Sequence, residues 1–123
     1  MSSPDDAGAG DLRAPTAEEQ RMLDALLGAD FPGRGELLAQ AKDISVSSID
    51  AEGNVAISAL GGPRSPVVRR IPVEAELEDA DGTTAHILLH VVDGRMKELE
   101  IHRDDSGAIQ GVIDPQRFRL IVL

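Results

Sequence analysis

An α+β domain is what this 123-residue chain leads one to expect, on three observations. Apolar residues recur at helical spacing up to about residue 43, and the period changes to two from residue 44. Asp-Gly and Gly-Pro punctuation then cuts the chain into runs of strand length, as successive hairpins require. The length leaves room for one core and not two. The expected architecture is two N-terminal helices packed on one face of a mainly antiparallel sheet of about five to seven strands.

Residues 1–14 are small, polar and acidic, and read as a disordered tail before a single domain over 15–123. "PTAEEQRMLDALL" starts a helix, with Thr16 as cap and Glu19 completing a capping box three residues on. Met22, Leu23, Leu26 and Leu27 form its apolar stripe, and "GADFPG" ends it. A shorter helix is expected over "RGELLAQAKD", with Leu37, Leu38 and Ala41 facing inward. Residues 44–60 then read as a hairpin, "ISVSSI" and "NVAISAL" around the turn "DAEG". After the loop "GGPRSP" come "IPVEAELE", "TTAHILLHVV" and "RMKELEIHR", separated by "DADG" and "DG". Weaker strand signals follow at "AIQGVI" and "RFRLIVL", split by Asp114-Pro115.

Turn chemistry sets the expected register. A three-residue loop Ala80-Asp81-Gly82 places Leu77 opposite Ala85, Ala75 opposite Ile87 and Val73 opposite Leu89, an apolar face throughout. A matching loop Val92-Asp93-Gly94 places Ile87 opposite Leu99 and Ala85 opposite Ile101. The other face then carries Glu74, Glu76 and Glu78, next His86, Leu88 and His90, and finally Met96, Glu98, Glu100 and His102. His86 falls between Glu76 and Glu100 in one cross-strand row.

Composition removes several functions. With no Cys, disulfides, thiolate metal sites and a Cys nucleophile are excluded. A net charge of −10 and only two aromatic residues argue against nucleic-acid binding, which needs positive surface or stacking platforms. The N-terminus lacks a signal-peptide core and the apolar runs are too short to span a bilayer, so a cytoplasmic location is expected. No cofactor motif is evident, and a basic protein partner fits the charge.

Several segments, taken in order, resemble a small uncharacterised bacterial protein family. They are Glu18-Glu19, Asp30-Phe31-Pro32-Gly33, Ile71 to Glu76, Leu88 to Gly94 and Glu98 to Ile101, spread over roughly residues 16–123. The resemblance implies a bacterial domain without established activity and supplies no mechanism. Small acidic bacterial proteins of this size include toxin-neutralising immunity proteins, an analogy and not a family link.

Two readings of the polar face follow. In the first it is a solvated acidic surface serving a non-enzymatic interaction, immunity-like or regulatory module. In the second, Glu76, His86 and Glu100 form a site for a divalent metal or for acid–base chemistry. His86 and His90 are four residues apart, about 13 Å on a strand, and so do not share one ion. "DADGTT" from Asp79 opens like a calcium loop but lacks the later ligands, so it reads as a hairpin turn. "GGPRSP" lacks the Lys and the strand–helix setting of a phosphate loop, and Ser45, Ser47 and Ser48 have no evident base.

Overall fold

The computed structural model describes residues 11–123. Most of the expected tail lies outside them, but its last residues are held. Arg13 exchanges backbone hydrogen bonds of 2.8 Å with Val46, and its guanidinium grips Glu19 at 2.7 and 3.0 Å. Arg13 thus ties this segment to the rest of the chain through both a backbone ladder and a charge.

Helix α1, Ala17–Leu26, opens with the expected capping box: Thr16 Oγ1 accepts from the Glu19 amide at 3.1 Å, and Glu19 Oε1 accepts from the Thr16 amide at 2.8 Å. Its stripe Met22, Leu23 and Leu26, with Leu27 beyond it, is buried. Helix α2, Arg34–Ala41, buries Leu37, Gln40 and Ala41. Leu38, expected inside, is 36% exposed, because positions 37, 40 and 41 form one face and 38 lies off it.

Six strands follow: β1 (Ser45–Ser48), β2 (Val55–Ser58), β3 (Val73–Glu78), β4 (Thr84–Val92), β5 (Arg95–Arg103) and β6 (Arg119–Val122). They form one antiparallel sheet in the order β1-β2-β5-β4-β3-β6. The odd-numbered residues of β3 and β4, from Val73 to Val91, are buried, as are Leu99 and Ile101 of β5. They share one hydrophobic cluster with Leu23, Leu26, Leu27 and Leu37 of the helical region. The signal at "AIQGVI" does not produce a strand: residues 108–113 cross as irregular chain. The amides of Gln110 and Gly111 bond the Asp79 carboxylate instead of a neighbouring strand.

The first central hairpin has the expected register, with Leu77 opposite Ala85 and Ala75 opposite Ile87. The second does not. Its loop is only Asp93-Gly94, with φ of 52° and 75°, the pair of left-handed residues that a tight two-residue turn demands. Val91 then faces Met96, but His90 faces Glu98, so Lys97 is an extra residue in a β-bulge. From there Ile87 faces Ile101 and Ala85 faces Arg103, two residues further along β5 than expected. A two-residue turn alone would have turned β5 over, and the bulge turns it back. Glu98, Glu100 and His102 therefore stay on the outer face, while Met96, before the bulge, is buried at 1% exposure and not outward as expected.

Leu89 lies at the middle of the buried face and is fully enclosed. Leu89→Ala is predicted to cost about 2–5 kcal/mol of unfolding free energy, the range for large-to-small changes in a close-packed core. Denaturant titration measures it, and a near-neutral result would mean that the faces are assigned the wrong way round.

Candidate functional site

The shifted register rearranges the row expected around His86. Glu76 does face His86, but the partner on β5 is His102, and Glu100 faces Leu88. The expected trio Glu76, His86 and Glu100 is thus not one cluster. Bulge and turn move Glu100 two positions along the strand, beside a different histidine.

His86 is bracketed instead by Glu74 and Asp104. Its Nε2 stands 2.6 Å from Asp104 Oδ1 and its Nδ1 3.3 Å from Glu74 Oε2. The His102 ring stacks on it with centroids 4.9 Å apart and planes at 16°. His90 Nε2 lies 2.7 Å from Glu100 Oε1, while Arg70 Nε donates to His90 Nδ1 at 3.0 Å. Glu100 Oε2 is also 3.3 Å from His102 Nδ1, so this carboxylate links two of the rings. All three histidines of the chain therefore lie in one network on the outer face. Glu76 at the margin pairs with Arg119 at 3.3 Å.

Two groups on this face gather possible cation ligands. One ligand atom from each of Glu74, Glu76 and His86 lies within 4.8 Å of the others, and His90, Glu98 and Glu100 do the same. Partial burial disfavours the charged His86 ring, but the hydrogen bonds that it donates to Asp104 and Glu74 outweigh it and raise its pKa above the ordinary value.

A buried ion cluster at the end of the sheet had no counterpart in the sequence reading. Arg103 continues the inward row of β5 where a hydrophobe would be usual, and its side chain is 3% exposed. It donates to Asp79 at 2.8 Å, to Asp81 at 2.7 Å and to Asp105 at 2.9 and 2.6 Å. The Asp79 carboxylate also accepts from the amides of Ala80, Gln110 and Gly111. The amide of Gln110 foremost, with those of Ala80 and Gly111 and the Arg103 guanidinium, holds Asp79 far below the carboxylate range against its burial. Arg103 likewise holds Asp105 at about 2. The carboxylates of "DADGTT" are committed to a guanidinium, as befits a turn. The legible signal was the set of Asp at 79, 81 and 105 in the two turns that meet the single arginine ending β5.

The sequence pattern of a family described as a domain of unknown function, DUF6984, matches residues 12–113. The chain belongs to that family. The match covers α1 through β5 and ends before β6. No curated protein and no solved structure matches the DUF6984 chain. Among the described residues no helix is long and apolar enough to cross a membrane.

Two measurements test this geometry. NMR titration should place the His86 midpoint above the ordinary value of about 6.5, and Asp104→Asn should lower it. With a raised folded-state pKa, the His86 contribution to stability is full below about pH 6.5 and disappears as pH rises through the folded value. An unshifted midpoint would show that the carboxylates do not hold the ring. For the ion cluster, Arg103→Met should speed hydrogen exchange at the Gln110 and Gly111 amides relative to that of Ile87. Equal protection before and after the change would show that Asp79 needs no guanidinium to keep the strap in place.

Proposed function

We propose that this domain is a non-enzymatic interaction module whose working surface is the outer sheet face, engaging a partner that presents positive charge. The supporting observation is the make-up of that face. Each outward position of β3 is a glutamate, at 74, 76 and 78, and Glu98, Glu100 and Asp104 extend the acid across β5 and the turn after it. Arg119 answers part of this charge at Glu76, while Arg70 is directed to a ring nitrogen of His90. Such a surface speeds encounter with a cationic partner and sets its orientation more than it adds affinity. The ring nitrogens of His86 and His90 already have carboxylate or arginine neighbours, which suits a pre-organised surface better than a general base awaiting substrate.

Face selectivity is the test. Binding of an arginine-rich peptide at low salt is measured for the wild type, for Glu74→Gln/Glu76→Gln/Glu98→Gln, and for the helix variant Glu18→Gln/Asp24→Asn. The sheet variant should lose at least about tenfold in affinity and much of the salt dependence, as expected for charges that steer association. The helix variant should bind nearly as the wild type does. Equal losses from both would reduce the effect to net charge and remove the sheet face from consideration.

A further inference from the structure

We propose that Glu74, Glu76 and the Nδ1 atom of His86 bind a divalent transition metal of the zinc class, with Asp104 as the residue that orients the imidazole. The inference does not depend on a protein partner.

The argument begins with which nitrogen carries the proton. His86 Nε2 and Asp104 Oδ1 are 2.6 Å apart, the short contact of a charge-assisted hydrogen bond, so the Nε2 proton is well placed. Nδ1 and Glu74 Oε2 are 3.3 Å apart, long beside the 2.7–2.9 Å or so of such bonds. Two ligands each about 2 Å from one tetrahedral ion stand roughly 3.3 Å apart, which is the separation found here. A metal ion at Nδ1 replaces the proton on that side and leaves the Asp104 bond intact. Imidazole bound on one nitrogen and held by a carboxylate on the other is the usual arrangement of a metal-ligating histidine. His102, stacked on the ring, restricts its rotation. Glu76 brings a carboxylate oxygen within 4.8 Å of both other ligand atoms from the next outward position of β3, since residues two apart on a strand share a face. Its neighbour Arg119 is 59% exposed at the sheet edge and holds Glu76 by a contact of 3.3 Å, which a cation would replace.

The second cluster fails the same test. Arg70 Nε donates to His90 Nδ1 at 3.0 Å, and an arginine has no lone pair to offer, so Nδ1 is the acceptor. The proton of a neutral His90 is then on Nε2, the atom facing Glu100 at 2.7 Å. A metal at Nε2 would require the ring to lose that proton as well. His90, Glu98 and Glu100 are therefore a hydrogen-bonded cluster around a neutral ring, and Glu74, Glu76 and His86 are the metal site.

Zinc titration of the full chain decides between them, followed by NMR of the histidine ring protons and by calorimetry. Zinc should shift the His86 signals selectively at micromolar concentration. Glu74→Gln and Glu76→Gln, which keep side-chain shape, should each weaken binding at least about tenfold, and Asp104→Asn should weaken it about ten- to hundredfold although Asp104 is not a ligand. Glu98→Gln should leave zinc affinity unchanged, and circular dichroism checks that each variant is folded. Loss of zinc binding in Glu98→Gln, undiminished binding in Glu74→Gln and Glu76→Gln, or no response of His86 to zinc would each overturn the proposal.

Discussion

The carboxamide of Gln40 steadies the one irregular point of the central sheet, and the arrangement of the outer face depends on that point. Fully buried at the end of α2, it donates to the carbonyls of Gly94 at 2.8 Å and Pro63 at 2.9 Å. Its oxygen accepts from the Met96 amide at 3.2 Å, beside the bulge at Lys97. A bulge leaves ladder groups unpaired, and buried unpaired amides are costly, so a side chain that serves both the turn and the bulged strand stabilises this register over its neighbours. Gly94 reinforces the same corner. A Cβ there would come within 2.5 Å of the Ser65 carbonyl, so the turn and the β2–β3 connection can pack only around glycine.

From that corner the two faces of the sheet follow. One residue more or less in the turn exchanges the faces of the whole following strand, because the side-chain period is two. The Asp93-Gly94 turn and the Lys97 bulge together restore the parity, so Leu99 and Ile101 point into the core while Glu98, Glu100 and His102 point out. The shift by two positions leaves the hydrophobic pattern intact but changes every polar neighbour. For this reason His102 meets His86, and Glu100 is shared between His90 and His102.

The opposite end of the sheet is tied by charge. Arg103 sits at an inward position, and a lone buried guanidinium would be strongly destabilising. Three aspartates from two turns surround it, and the most buried of them, Asp79, also accepts the amides of the irregular strap. One ion cluster thus closes the β3–β4 turn, the chain after β5 and the approach to the last strand. Depressed carboxylate pKa values make this closure robust at neutral pH, and the contribution of Asp105 fades as pH falls from about 4 toward 2.

Local chemistry was enough to read much of this from the chain. The Thr16–Glu19 box, the α1 stripe, the strand runs other than "AIQGVI" and the Ala80-Asp81-Gly82 hairpin depend on residues a few positions apart, and each recurs in the structure. Membership of one polar face was legible for the same reason, except at Met96 before the bulge, since alternation survives a shift by two. Long-range contacts decided the remainder. The buried role of Gln40 needs Gly94 and Met96 from another element, and the partners of Arg103 come from separate turns. Whether Glu100 or Asp104 stands beside His86 depends on an extra residue whose stabilisation comes from α2. Periodicity could say which side of the sheet His86 occupies; only packing across the chain could say which carboxylates it meets there.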